Sequence, residues 1–591
     1  MKIKVVPFSL LAVITLLLAG CAKKLQEHPY TVFTPSFYQT PAGLTSGINA
    51  LYAGMRFNYG PEPALAITIM GTDEFTGGDQ VTASTGGQYV RSFAIYGGGS
   101  PISASDGSIL NQWNSNFNLI NLANALIQYA PGVAVDTATK VSTIAQARFF
   151  RGLYYLLLVQ QFGAVPTDLG SGDLVFNQKP FQGFNRLPVT DVLAKDYTAM
   201  IADFTYASQN LPTTRPTNAF QLSKAVAFFM LSKTYLLRGY STQKQSDDFK
   251  NAYTTAMEVI NNQAQYGVAL QQDYGKVFAQ GNDYNSEILY SVERLPNDLN
   301  DNETPVSTNT SGAGNNASTD FAPNYTDITG AKAPGVGRQA IYGRPYRRFA
   351  PTSWCINTVF ADKYSDSRFD NTFRMMWYTN AGNGGKINYG DTAFLLATSQ
   401  HMADSMNAIP KPYPVLPPSK FWTLQNNDPQ DIYPYLQKYS DSAKANFNDV
   451  VDGRPFKVAR LGELYLQAAE AAMQNGDVTT AAQLINILRT RAAYRPSLSA
   501  GEISNRAAAI QVDPSVINLD FILDERTREL CGEGSRWPDL AMRGKLVSRV
   551  QAFNPDGGPN IQPFHVLRPI PQSQLDATAL PNTKQFQNPG Y

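Results

Sequence analysis

The sequence predicts an all-α protein in which about four helix pairs stand beside a large irregular, loop-rich half. Three observations carry that prediction. Apolar residues recur at helical spacing in segments that come two at a time, split by short polar or glycine turns. Between Pro296 and Thr352 no hydrophobic period survives, and S-T-N-T-S-G-A-G-N-N-A-S-T reads as a long surface loop. From Ile522 to Arg543 the chain runs I-L-D-E-R-T-R-E-L-C-G-E-G-S-R-W-P-D-L-A-M-R, with charges regular enough to imply a joint between two helices.

The first pair spans Ile109 to Tyr129 and Ile144 to Phe162. Trp113, Phe117, Ile120 and Ala123 line one partner, and Phe150, Leu153, Tyr154, Leu157 and Leu158 the other. Val192 to Leu211 adds a further helix. A second pair starts at Leu222 with K-A-V-A-F-F-M-L-S-K-T-Y-L-L-R-G and resumes from Asp247 to Ile260, after a polar loop around Ser241 to Ser246. In the third, Leu461, Leu464, Tyr465, Ala468, Ala469 and Ala472 form one stripe. Asn475-Gly476 supplies a left-handed stop, Asp477 a cap, and Ala481, Leu484, Ile485, Leu488 and Ala492 the facing stripe. The last unit, Ile517 to Leu546, holds Glu525 and Glu529 one turn apart with Arg528 in reach of Glu525. Gly532 and Gly534 then end that helix before Arg536, Trp537 and Asp539 open the next. Such units look like tetratricopeptide repeats, which stack into a curved right-handed scaffold.

Composition narrows the function. Lys plus Arg is 48 against 47 for Asp plus Glu, so no basic stripe exists to release counterions from nucleic acid. The charged fraction is 16%, below the ~25% usual for globular chains. Asn, Gln, Ser and Thr replace it, together with 12% aromatic residues. Rings and amides suit sugars, whose apolar face stacks on an aromatic plane while their hydroxyls take directional hydrogen bonds. His28, His401 and His565 are widely separated, and no histidine or cysteine cluster has metal-ligand spacing. Cys355 and Cys531 sit in apolar surroundings and read as two buried thiols, with a bridge between them as the alternative.

The amino terminus reads as an export signal. Lys2 and Lys4 precede a charge-free run from Val5 to Ala19 that closes on Leu18-Ala19-Gly20-Cys21, a lipobox. Residues 1–20 are thus expected to be removed, leaving Cys21 as a lipidated first residue, with 21–40 as a tether to the body. Ala rather than Asp at position 22 argues for the outer membrane. The body, 41–591, is expected to be one unit, with an N-terminal part over 41–270, a loop-rich middle over 271–450 and a C-terminal part over 451–591.

The segment from Ile522 to Arg543 resembles the C-terminal signature of the SusD/RagB family of outer-membrane nutrient-binding lipoproteins. Several separated stretches resemble other parts of that family: A-R-F-F-R-G-L-Y-Y-L-L-L-V-Q-Q-F-G-A-V-P, G-R-P-Y-R-R-F-A-P-T-S-W, Lys438-Tyr439-Ser440-Asp441, and the tail R-P-I-P to Q-N-P-G-Y. Glu525, Arg526, Glu529, Glu533, Gly534, Arg536, Trp537 and Asp539 are the residues that carry the motif, and their expected role is structural. The resemblance implies a protein, not an enzyme, that binds glycans at the cell surface and passes them to a SusC-like TonB-dependent transporter. It implies no cofactor, and calcium assistance to binding stays open.

The family's glycan contacts lie on variable loops, so no motif transfers them. Two loop regions are candidates. Thr72 to Ser108 carries Asp73 and Glu74, in a family-like element, then Gln88, Tyr89, Arg91, Phe93 and Tyr96 among glycines; the second region has Tyr342, Tyr346 and Arg347. Trp354, Trp377 and Trp422 could face either way, whereas Trp113 and Trp537 fit the core. Competing readings are a peptide-binding uptake protein of the same fold, a tetratricopeptide adaptor, and a lipid-anchored glycosidase using a pair among Glu525, Glu529 and Glu533.

Overall fold

The computed structural model describes residues 35–78, 90–97, 99, 101–167, 169, 189–294, 314–328, 331–332, 335–381, 388–421, 432–577 and 586–591. The predicted Cys21, Tyr89 and Trp422 lie outside them.

Asp106 caps helix α2 (Gly107–Tyr129), accepting from the Ser108 and Ile109 amides. Asp136 caps α3 (Thr137–Phe162) through the Thr139 amide. The latter starts earlier than the apolar period suggests because Thr137, Ala138 and Thr139 are exposed and show no stripe. Helix α1 (Pro41–Gly54) packs on both. Helix α4 (Val189–Asn210) lies between α3 and α5 (Lys224–Tyr240), and α6 (Asp248–Asn261) packs on α5. Gly239 permits that last contact, since a Cβ there would sit 2.6 Å from the Phe249 ring.

The stack then continues across a long excursion of the chain. Helix α7 (Leu461–Gln474) packs directly on α6, and α8 (Val478–Ala492) on α7. Ala468, Ala469, Ala471 and Ala472 of α7 are buried, so its neighbours approach closely. Gly476 turns the chain at φ +86°, and Asp477 accepts from the Thr480 amide.

The last unit opens outward. Helix α9 (Leu519–Leu530) crosses α7, but α10 (Arg536–Met542) packs against the Glu62–Ile69 helix and α3, joining the two ends of the chain. Gly532 and Gly534, at φ +75° and +80°, make the turn, and a Cβ on Gly532 would lie 2.3 Å from Leu436. Helix α11 (Leu546–Phe553) follows.

Short strands stitch the loop-rich half together. β1 (Phe75–Gly77) pairs antiparallel with β3 (Phe349–Pro351), and β2 (Ile288–Val292) with β7 (Phe456–Arg460), which leads straight into α7. β4 (Met376–Tyr378), β5 (Thr392–Leu396) and β6 (Val415–Leu416) form a three-stranded sheet in that order, antiparallel then parallel. Among the described residues no helix is long and apolar enough to cross a membrane.

Candidate functional site

The motif residues form a buried lattice of ion pairs. Arg368 reaches Asp366, Glu525 and Glu529 at 2.6, 2.9 and 3.2 Å. Arg460, at the end of β7, meets Glu529 at 2.6 Å, Glu533 at 2.7 Å and Glu287 at 3.0 Å. Arg491 pairs with Glu529 and Glu287, and Lys438 with Glu533. Around the turn, Arg526 holds Asp539 and Glu463, while Arg543 holds Glu470 and Asp539. Trp537 is fully buried beneath the Arg568 guanidinium, 4.0 Å from its ring.

Burial alone would push these carboxyls up. The surrounding guanidiniums outweigh it and hold Glu525, Glu529 and Asp539 well below the usual carboxylate range, with Glu533 also lowered. A general acid needs a pKa near the working pH, and the guanidiniums hold these carboxyls away from it. Glu74 is the exception, pushed up by burial to about 7 despite Arg536. It is 2% exposed, out of reach of a solvent-borne substrate.

Several residues chosen from sequence as ligand contacts require correction. Asp73 is buried and accepts from Arg536 Nε and Arg549 Nε at 2.7 and 2.6 Å, so with Glu74 it belongs to the lattice. Phe93 is buried with the Arg568 guanidinium 4.9 Å over its ring. The buried Tyr96 donates its hydroxyl to the Gly71 carbonyl at 2.9 Å. The glycines let this loop collapse onto the core: a Cβ on Gly71 would lie 2.0 Å from the Phe93 carbonyl oxygen. Arg91 is half-buried at the start of the same short helix. Trp354 and Trp377 are buried.

Tyr342 is buried too, but as an anchor. Its hydroxyl accepts from the Tyr378 amide at 3.2 Å, and the Arg374 guanidinium covers its ring at 4.8 Å. Tyr346 is half-buried between the Arg344 and Arg348 guanidiniums, 5.2 and 5.3 Å from its ring.

The two loop regions are nevertheless neighbours in space. Beyond the β1–β3 pairing, the Gly78 amide donates to the Arg348 carbonyl at 2.8 Å. Arg347 adopts φ +59°, its amide tied to the Ala322 carbonyl at 3.1 Å, a conformation that persists only where the surroundings enforce it.

From there hydrogen bonds tie three loops together. Asn380 accepts from the Gly337 amide at 2.7 Å and donates to Gln339, linking 335–347 to the β4–β5 hairpin. Arg338 and Arg344 donate to the side chain and carbonyl of Asn448, both at 3.0 Å, bringing in the 446–449 turn. These loops carry Tyr378, 46% exposed, Tyr389, 78% exposed, and Phe447, 46% exposed. Sequence reasoning passed over all three. In Met376-Trp377-Tyr378 the strand puts Trp377 inside and Tyr378 outside, an alternation visible only once the strand is known. Exposed rings beside amides and guanidiniums can stack on a sugar face and bond its hydroxyls.

A depression with a volume of about 560 Å³ lies elsewhere, between α1, α3 and residues 211–222. Its Tyr52 hydroxyl already donates to Gln146 and accepts from the Leu222 amide, and Arg56 Nε donates to the Glu293 carbonyl. Tyr378 and Tyr389, the tyrosine face of the loop-built half, lie outside this depression.

Helix pairs carrying an irregular, loop-built half define a helical-repeat scaffold with an appended loop-rich half. The chain belongs to the SusD family: the pattern described as "SusD family" matches residues 278–591, more than half of the sequence. A second, described as "starch-binding associating with outer membrane", matches 76–236. SusD-like protein P2 of Formosa agariphila is 27% identical over 98% of both chains. Among solved structures, a laminarin-binding SusD-like protein superposes with TM-score 0.64 at 20% identity, covering 93% of this chain and 100% of its own. Surface glycan-binding protein A of Bacteroides thetaiotaomicron, in complex with laminarihexaose, gives 0.63 at 17%, covering 93% and 99%. NanU of B. fragilis gives 0.63 at 19%, covering 94% and 98%.

Proposed function

We propose that this protein is a non-catalytic, lipid-anchored component of the outer cell surface. It binds oligo- or polysaccharide on the face built by 335–347, the β4–β5 hairpin and 446–449, and delivers it to a SusC-like TonB-dependent transporter. The observation that carries this reading is the exposure of Tyr378 and Tyr389 on the loop-built face while the motif carboxylates are locked to arginines. The glycan ligands named for the laminarin and laminarihexaose relatives support it, as does the lipobox ending at Cys21.

Electrophoresis of the purified protein through native gels containing β-glucan or α-glucan tests the proposal. Retardation by at least one polysaccharide, with no new reducing ends on incubation, is the expected outcome. Release of reducing ends would make the protein a hydrolase. Binding of oligopeptides with no shift in any glycan gel would make it a peptide-uptake protein.

A further inference from the structure

The fold brings together two cysteines that are 176 positions apart in the chain. Cys355 lies in the π-helix Trp354–Val359, directly after β3 at the root of the loop-rich half, and Cys531 is the C-cap residue of α9 in the motif turn. Both are fully buried, and their Sγ atoms stand 3.7 Å apart. A disulfide requires about 2.05 Å between the sulfurs. Closing the remaining gap of about 1.6 Å is within the swing of two side chains rotating about their Cα–Cβ bonds. Apart from Cys21, the expected lipid acceptor, they are the only cysteines in the sequence, so a bridge leaves no third thiol to compete.

We propose that Cys355 and Cys531 are a cross-linking site, oxidised to a disulfide that clasps the base of the loop-rich half to the motif helix. One thiol is deprotonated and attacks a sulfur of an oxidant disulfide, releasing one oxidant thiol and forming a mixed disulfide. The second cysteine, as thiolate, attacks the protein sulfur of that bond and releases the other oxidant thiol. Two electrons and two protons thus pass from the cysteine pair to the oxidant, and one Sγ–Sγ bond forms. An exported chain meets such oxidants as it folds.

Timing follows from burial. Desolvation pushes both thiols up, Cys531 furthest, so the folded protein holds little thiolate and admits no oxidant. The bond therefore closes while the chain folds, before burial seals the site. Once closed, it resists reductant for the same reason.

The test starts from the full chain carrying Cys21→Ser, which stands in for the lipid-blocked thiol, unfolded and reduced. One portion is refolded in a mixture of reduced and oxidised glutathione; another is refolded without oxidant and exposed to the mixture afterwards. Both are then quenched in acid, freed of glutathione, alkylated with iodoacetamide in denaturant at about pH 8 and digested for mass spectrometry. In the first portion the expected product is a peptide pair joined through Cys355 and Cys531, about 2 Da lighter than the two free peptides together. In the second, both cysteines are expected to be alkylated. Cys355→Ser should leave Cys531 without a cross-link, alkylated or held as the unresolved glutathione adduct in the first portion and alkylated in the second, and Cys531→Ser should do the same for Cys355. Alkylation of both cysteines in the first portion, or glutathione adducts in place of the cross-link, would overturn the proposal.

Discussion

Glu529→Ala is expected to lower folding stability by about 3–5 kcal/mol, a large share of the ~5–15 kcal/mol that holds a typical protein folded. Glu529 is fully buried and faces Arg368, Arg460 and Arg491 at once. Its loss leaves six cations, Arg368, Arg460, Arg491, Lys438, Arg489 and Arg528, sharing four carboxylates, Asp366, Glu525, Glu533 and Glu287. Since the penalty is uncompensated buried charge, Glu529→Gln should cost nearly as much despite keeping the shape. Pairing it with Arg491→Met should recover part of the loss. Calorimetry, or denaturant titration where a single transition is seen, provides the measurement. A loss below about 1 kcal/mol for Glu529→Ala would contradict the lattice as the fold's keystone.

The pH dependence has a definite sign. Carboxyls held below their ordinary values contribute stability that is complete above the usual carboxylate range and is lost as pH falls through the depressed values. Glu525, Glu529 and Asp539 are such groups. The Glu529→Ala loss should therefore be nearly constant from about pH 6 to 8 and shrink only in strong acid.

The second large effect concerns binding. Replacing both Tyr378 and Tyr389 with Ala is expected to weaken glycan affinity by about 10- to 100-fold, or ~1.4–2.8 kcal/mol. For a shallow sugar site of micromolar to millimolar affinity, worth about 4–8 kcal/mol, that approaches loss of detectable binding. Neither change should disturb the fold. Tyr389 is 78% exposed, and it is the backbone amide of Tyr378, not its ring, that bonds Tyr342. Tyr389→Phe keeps the stacking plane and should retain most affinity. Isothermal titration with a polysaccharide that retards the wild-type protein gives the comparison. Unchanged affinity in the double variant would place the ligand elsewhere.

How far the sequence could be read follows from where each signal resides. The helices of the stack announce themselves because burial is one-sided: the Leu464, Ala468 and Ala472 stripe of α7 repeats at helical spacing whatever its partner. β4, β5 and β6 are two to five residues long, and their pairing is set by partners up to about twenty residues away. The motif was legible as a joint, but its electrostatics were only partly local. Inside it Arg528 pairs with Glu525, and Arg526 and Arg543 with Asp539, while Arg368, Arg460 and Arg491 converge on Glu529 from distant segments. Ligand residues were the least legible. A tyrosine in a glycine-rich loop looks the same whether it pins the loop, as Tyr96 does, or stands free, as Tyr389 does.

Hydrogen–deuterium exchange of the whole protein, with and without a saturating bound polysaccharide, tests the central claim most directly. Protection should gather at 335–347, 376–381, 388–391 and 446–449, with the helix stack unchanged. Protection confined to α1 and residues 211–222, around the depression beside Tyr52, would contradict the assignment of the ligand to the tyrosine face.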